Sequence, residues 1–492
     1  MTKHAVLEKF VDIVGSENVS GSPELLEQYA QDLSFTTPST PLGVVWPRNT
    51  EDVQKIVLAA KESGIPLIPV SSGSPRLHGD TIPRVDNALI VDLGRMQQIL
   101  RVDRKNRVAM IEPGVTFDQL AAEVAQQGLI PLMPLLPKPS KSIIASYLER
   151  EPITIPRYHW DSSDPLLCTE VVFGTGDIFR TGAAAGPGSL EDQWKAGQAQ
   201  KNPLGPSQFD PLRILQGAQG SMGIITWASV KLERLPKSQK AFFATSDKLD
   251  TLLGFTYGVL RRRLGDHLFI LNRTNLAALV KDRDSDIRAL KQKLPAWILV
   301  LTMSGHGKLV EDELAYIEGD IKDIATENNV SLHPSLHGVK ILDLLGSSCN
   351  EPYWKLRPRG SCEDVLFQTT LDKTPALHSL FSKEARQAKY PEEEFGVYIQ
   401  PQVQGTCTHC EFNIYYDAES QEEVSRARQL YMKGSKALLT SGAFFSRPYG
   451  AFTAEVYDNC PEEIVTALRK VKAIFDPDNI LNRGALCFTE VE

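Results

Sequence analysis

The sequence predicts an α+β fold assembled from three stretches of chain, 1–236, 237–441 and 442–492. Three observations predict it. Up to residue 236, short apolar runs of strand length alternate with segments whose apolar residues recur at helical spacing. Around Pro236 the texture changes, and amphipathic helices then lie between strands such as Trp297–Thr302. The final fifty residues close on a turn-rich segment, Phe475-Asp476-Pro477-Asp478-Asn479-Ile480-Leu481-Asn482-Arg483-Gly484.

Val44-Val45-Trp46 reads as a strand closed by Pro47. Thr50 follows as a helix cap, because its hydroxyl can accept a free first-turn N–H. Val53, Ile56, Val57 and Ala60 repeat at helical spacing, and Gly64 ends that helix. Ile65–Val70 is an apolar strand that runs into a loop of small residues, Ser71-Ser72-Gly73-Ser74. Ala88–Leu93 and Val108–Glu112 are further strands, and Thr116 opens a second helix through Ala121, Val124 and Ala125. Cys168–Phe173 and Asp177–Gly182 flank Gly174-Thr175-Gly176, a hairpin pattern. Residues 183–210 are rich in Gly, Pro, Ala and Gln and read as a long surface loop. A second small-residue loop, Gln216–Gly223, feeds the strand Ile224–Trp227.

Composition narrows the function. Of 492 residues, 42% are hydrophobic and 23% charged, which excludes a disordered, collagenous or coiled-coil chain. The net charge of −8 lacks the basic signature of a nucleic-acid binder. No apolar run approaches the roughly 18 residues that span a bilayer. Met1–Ala5 lead into a charged amphipathic stretch, and the expected location is the cytoplasm. The seven cysteines are odd in number and scattered, so reduced thiols are expected. Cys407-Thr408-His409-Cys410 lacks the second ligand pair of a zinc site, and no metal is expected.

Four places carry chemistry. In Ser71–Ser74, small side chains and successive N–H groups suit an anion such as a diphosphate, and a plain turn uses the same residues. Glycines 217, 220 and 223 leave backbone donors open to a ligand or make a tight loop. Asp161 sits in a polar aromatic loop, Tyr158–Asp164, as a solvated acid or a functional one. Arg447 stands inside an aromatic segment, Gly442–Phe452. A buried guanidinium needs an anion, so it is either a structural ion pair or a clamp for a carboxylate, a phenolate or a reduced flavin.

Six segments together resemble the flavoprotein family of vanillyl alcohol oxidase and p-cresol methylhydroxylase, whose FAD domain is shared with glycolate oxidase and D-lactate dehydrogenase subunits. They are Pro47–Gln54, Ile65–Gly73, Ile111–Thr116, Glu170–Val172 with Phe179–Gly182, Gly220–Thr226 and Phe475–Leu481, in family order with family-like spacing. The resemblance covers residues from about 40 to 235 and the last fifty well, and the middle loosely. It implies a two-subdomain FAD-binding domain built from both chain ends, with an α+β cap between. It implies FAD with its diphosphate on the 71–75 loop, cofactor contacts from Val70, Ser71, Ser72, Gly73, Ser74, Pro75, Gly220, Ser221, Gly223, Ile225 and Asn482, and hydride removal onto flavin N5.

The hydroxyacid branch of such enzymes carries a His-rich metal motif where this chain reads Gln402–His409, and the motif is absent. The phenol-oxidising branch fits better. Its arginine falls on Arg447, its active-site acid on Asp161 and its cap-strand histidine on His409. His78 and Ser446 stand where that branch has tyrosines, and Pro75, Arg76 and Leu77 replace glycines of the phosphate loop. The expected activity is oxidation of a small aromatic alcohol or alkylphenol-like substrate. Arg447 would stabilise an anion, Asp161 act as a base, and His409 or His78 handle a hydroxyl proton. Near Cys362–Asp364 no His or Tyr is available to link flavin, so FAD is expected to be non-covalent, with His78 the alternative linkage site. Two other functions stay open: a D-2-hydroxyacid dehydrogenase passing electrons to a protein partner, and a non-catalytic FAD subunit of a larger redox complex. Expected partners are a small-molecule substrate, an electron-acceptor protein and a second copy of the chain.

Overall fold

The computed structural model describes residues 3–156, 165–205 and 211–488. Three sheets organise them. The first has four strands in the order Val19–Ser20, Gly43–Val45, Leu89–Asp92, Leu67–Val70, and its last three strands run parallel. Helix Thr50–Ser63 covers it, burying Val53, Ile56, Val57 and Ala60 with Phe10 and Val14 of helix Lys3–Val14. The cap of the former helix is Asn49, not Thr50: its side chain accepts the Asp52 N–H, while the Thr50 hydroxyl donates across to Glu170 at 2.8 Å. Gly64 ends the helix in the left-handed region at φ 66°, as its position suggested.

The second sheet has six antiparallel strands around the long strand Ile224–Arg234, which pairs with Val108–Ile111, Leu166–Val172 and Leu129–Pro131. The predicted hairpin is present, with Glu170 opposite Arg180 and Val172 opposite Ile178. Residues 183–205 are not a plain surface loop. They hold helix Leu190–Lys195, started by a Ser189/Asp192 capping box, and they bury Gln193 and Gln200, whose amides bond each other. Hydrogen-bonded glutamines allow a polar segment to be internal. The stretch from Ile143 folds as helix Ile143–Leu148, capped by Ser142.

The third sheet has seven antiparallel strands in the order Leu332–His333, Ser238–Ser246, Trp297–Gly305, Leu268–Asn272, Gly396–Gln402, Cys407–Tyr416, Ser361–Thr369. Helices Asp250–Arg261, Val310–Glu327, Thr374–Gln387 and Gln421–Thr440 cover one face with a continuous apolar core. Strand parity decides what the other face carries. In Cys407–Tyr416 the residues Cys410, Phe412 and Ile414 point to that core, so His409, Glu411 and Asn413 point away from it. Val365 and Phe367 do the same in their strand and turn Asp364 outward. This parity also places Cys407 and Cys410 on opposite faces, where they cannot form a joint ligand pair; all seven cysteines are free thiols.

The chain end returns to the first sheet. Leu481 forms a parallel bridge with Leu67, whose N–H donates to Ile480 and whose carbonyl accepts from Asn482. Lys472, almost fully buried, donates to Asp476 and to the carbonyls of Ser221 and Leu481. Among the described residues no helix is long and apolar enough to cross a membrane.

Candidate active site

Between the outward face of the seven-stranded sheet and the loops of the other two sheets runs a cleft with a cavity volume of about 210 Å³. Val70, Ser71 and Ser72 line one wall, and Gly217, Gly220, Gly223 and Ile225 another. Gly73, Ser74 and Pro75 lie beyond the lining and are fastened by Lys138 and Ser140. Lys138 Nζ donates to the carbonyls of Gly73 (2.8 Å) and Pro75 (2.6 Å), and Ser140 Oγ donates to that of Ser74. Gly220, at φ 71°, has no room for a side chain, because a Cβ would meet Pro69 Cγ at 2.2 Å. Ser221 and Asn482 are buried behind the lining. Ser221 Oγ donates to the Ala218 carbonyl, Asn482 Nδ2 donates to the Gln219 carbonyl, and Asn482 Oδ1 has no partner among the described residues.

The cap side supplies the charge. Lys355 Nζ lies 2.5 Å from both Asp364 Oδ2 and Glu411 Oε1. Asn413 Nδ2 donates to the same two carboxylates at 2.6 Å. Each carboxylate also meets a histidine: His78 Nε2 is 3.6 Å from Asp364 Oδ2, and His409 Nε2 is 3.4 Å from Glu411 Oε2. Burial alone would raise both acids. Lys355 outweighs it, holding Asp364 below the ordinary carboxylate range and Glu411 at about 2. Burial opposes the charge on His78, but Asp364 overcomes it and raises the imidazole; His409, fully buried, is lowered chiefly by desolvation.

A second network stands on the FAD-loop side. Lys141 Nζ bridges Glu149 (2.8 Å) and Glu151 (2.9 Å), and Ser146 Oγ donates to Glu151. Burial raises Glu149; Glu151, equally buried, is pulled to about 2 by Lys141. Lys138 has no carboxylate partner among the described residues, and burial beside Lys141 and Arg76 lowers it to about 7.

Arg447 lines the cleft, is 7% exposed, and makes no ion pair among the described residues. It faces the cleft with Tyr353, Tyr398 and Tyr449. His78 stacks on Tyr449 with ring centroids 4.5 Å apart. Of the four expected catalytic residues, the structure brings Arg447 and His78 to the cleft surface. His409 does not line it and reaches it only behind Glu411 and the Tyr398 ring, 5.9 Å away. Asp161 lies outside the described residues. Lys355, Asp364, Glu411, Lys138 and Lys141 escaped the sequence reading. A carboxylate inside an otherwise apolar strand, as in Cys407–Tyr416, was the available signal.

The cleft fits FAD: glycines leave its wall open at Gly217, and two cations, Lys138 and Arg447, face it without carboxylate partners among the described residues. Residues 41–182 match the family described as FAD binding domain, and residues 402–486 the family described as FAD linked oxidases, C-terminal domain. The chain is an FAD-linked oxidoreductase. The oxidoreductase is 25% identical to the glycolate oxidase subunit GlcD of Bacillus subtilis over 98% of its own length and 96% of that protein's. Its fold superposes on 4-ethylphenol oxidase from Gulosibacter chungangensis, solved as an isoeugenol complex, with a TM-score of 0.84 at 20% identity, covering 99% and 97% of the two chains. It superposes on substrate-bound p-cresol methylhydroxylase with a TM-score of 0.81 at 18% identity over the same shares. At such identities the oxidoreductase shares their fold. Among its described residues no group of three or more His, Cys, Asp and Glu is arranged to hold a metal ion.

Proposed function

We propose that the oxidoreductase removes a hydride from a small aromatic substrate, an alkylphenol or a benzylic alcohol. The observation that carries this reading is Arg447, a buried guanidinium without an ion pair among the described residues, in a cleft lined by Tyr353, Tyr398 and Tyr449. Such a cation binds an anion strongly because water no longer competes for it. A phenolate supplies both the charge and a ring to lie among the tyrosines. The names of 4-ethylphenol oxidase and p-cresol methylhydroxylase support the same substrate class. Bound FAD supplies the hydride acceptor, and Ser71, Ser72 and the Gly217–Gly223 turn are the residues that would hold it.

In this reading Arg447 anchors the substrate oxygen and stabilises the charge that develops during oxidation. The three tyrosines exclude water and orient the ring. His78 stands at the cleft surface to exchange the hydroxyl proton, held in place by its stack on Tyr449 and by Asp364. The flavin is non-covalent. Asp364 is committed to Lys355, and burial raises the Cys362 thiol far above its ordinary range, so neither offers a nucleophile. After acid precipitation the yellow colour should stay in the supernatant; colour in the pellet that disappears in His78→Ala would reverse this.

A carboxylate would pair with Arg447 as well, and the end-to-end match to GlcD favours glycolate or D-lactate as the second reading. Anaerobic mixing separates them. Flavin bleaching by a 4-alkylphenol or 4-hydroxybenzyl alcohol, with none by glycolate or D-lactate, is expected. Bleaching by the hydroxyacids alone overturns the proposal in favour of the second reading.

A further inference from the structure

The charges in direct contact at the cap side of the cleft, Arg447 standing apart from them, sum to an odd number. Asp364 and Glu411 contribute two negative charges and Lys355 one positive, and all three are buried together within 2.5 Å contacts. The remainder is −1, with one histidine at each end of the cluster. A buried, uncompensated charge is costly, so one proton on the two histidines completes the balance.

The surroundings of the two imidazoles differ. His78 meets Asp364, Asp80 of its own loop and Glu149 at the end of helix Ile143–Leu148; its ring is covered by Tyr449. Glu149 is itself shared with Lys141. His409 meets Glu411 on its own strand, but it also faces the cations Arg447 and Lys355, with the Tyr398 ring beside it. Lys355 has Tyr353 and Cys362 as further neighbours, and Asn413 donates to both acids without adding charge. His78 thus meets three carboxylates, and His409 one carboxylate and two cations.

We infer that His78, Asp364, Lys355, Glu411 and His409 form a store for a single proton, held on His78 and kept off His409, with Lys355 as the positioning residue that fixes the count at one. The store thus presents an imidazolium at the cleft surface and a neutral imidazole behind it, so His78 accepts a substrate hydroxyl proton only once it has given up its own. Its use in turnover rests on the reading of this cleft as the substrate site; its charge state does not.

The experiment is a histidine titration by NMR on the FAD-loaded protein, with ring-labelled histidine, from about pH 5 to about pH 9. His78→Gln and His409→Gln assign the two signals. The expected result is one protonated imidazole at neutral pH, lost in His78→Gln, beside a neutral one lost in His409→Gln. Lys355→Met leaves −2, so His409 should become protonated at neutral pH as well, and Lys355→Arg should restore the wild-type pattern. If Lys355→Met does not fold, Glu411→Gln brings the fixed sum to zero, and His78 should give up its proton. Two neutral histidines in the wild type overturn the store, and so does a His409 signal or a His78 signal that ignores these substitutions. A substrate readout keeps the two ideas apart. Flavin bleaching should rise as pH rises through the His78 titration, because only the neutral imidazole can accept the hydroxyl proton, and Lys355→Met should move that limb up by about one pH unit or more. Correct titrations without any bleaching by aromatic substrates would leave the store standing and remove the proposed substrate.

Discussion

Arg447 is the residue on which substrate recognition turns. Its charge has no partner among the described residues, while nearly every other buried charge of the cleft is already paired. Arg447→Met should therefore cost turnover by about 100-fold or more, in the range seen when one preorganised charge-stabilising donor is lost. It should keep bound FAD and leave the melting temperature nearly unchanged, since no ion pair is broken. Stopped-flow bleaching and a thermal melt check the two halves; wild-type turnover ends the assignment. Arg447 was legible in the sequence because a lone cation in Gly442–Phe452 stands out. Lys355, Asp364 and Glu411 were not. Lys355 and Glu411 are 56 positions apart, and only the pairing of Ser361–Thr369 with Cys407–Tyr416 brings the two acids side by side. Asp364 stands in a segment, Cys362–Asp364, that offers no His or Tyr, and its own carboxylate carries no periodicity or motif that marks it.

At the scale of single elements, the loop that begins at Ser71 was read correctly as a bed of small residues, but its support lies elsewhere. Lys138, which lines the cleft, holds the Gly73 and Pro75 carbonyls, and the Gly73 N–H donates to the Ser140 carbonyl. Burial lowers Lys138 to about 7, so near neutrality much of it is uncharged in the empty loop. An anionic diphosphate favours the ammonium. FAD affinity should therefore be highest below about pH 7 and decline as pH rises above it, with proton uptake on binding. Lys138→Met should weaken binding and remove that slope, which fluorescence titration of apoprotein with FAD measures. In the cap, His378 lies among Trp297, Phe395 and Phe412, where burial lowers it to about 4. The unfolded chain, with an ordinary imidazole near 6.5, takes up the proton first. That contribution to stability is complete above about pH 6.5 and is lost as pH falls toward about 4. His378→Gln should flatten the fall in melting temperature over that window. The residues from 183 to 205 looked like loop because Gln and Gly carry no periodicity; Gln193 and Gln200 are buried through amide bonds, which no hydropathy pattern reports.

For the whole molecule, the closing segment was legible as a motif but not as a joint. Asp476 accepts from Lys472 and from the N–H groups of Ile480 and Leu481, so one carboxylate holds the last helix to the strand edge at Leu67. Asp476→Ala leaves Lys472 buried and unpaired, and about 3–5 kcal/mol of stability should go with it. Chemical denaturation tests this, and a loss under about 1 kcal/mol would show the joint to be replaceable.

The seven-stranded sheet has one further consequence. Its second face presents Asp364, Glu411 and Asn413, and its bridge to His78 crosses to the other part of the chain. A surface made that way is not self-sufficient: excised, the cap would offer water a constellation of charges designed for a lid. Chimaeras that graft this cap onto a related flavin-binding body should succeed only when the Arg76–Asp80 loop is transplanted with it. The unit that can be exchanged between relatives is thus the interface, and not the domain.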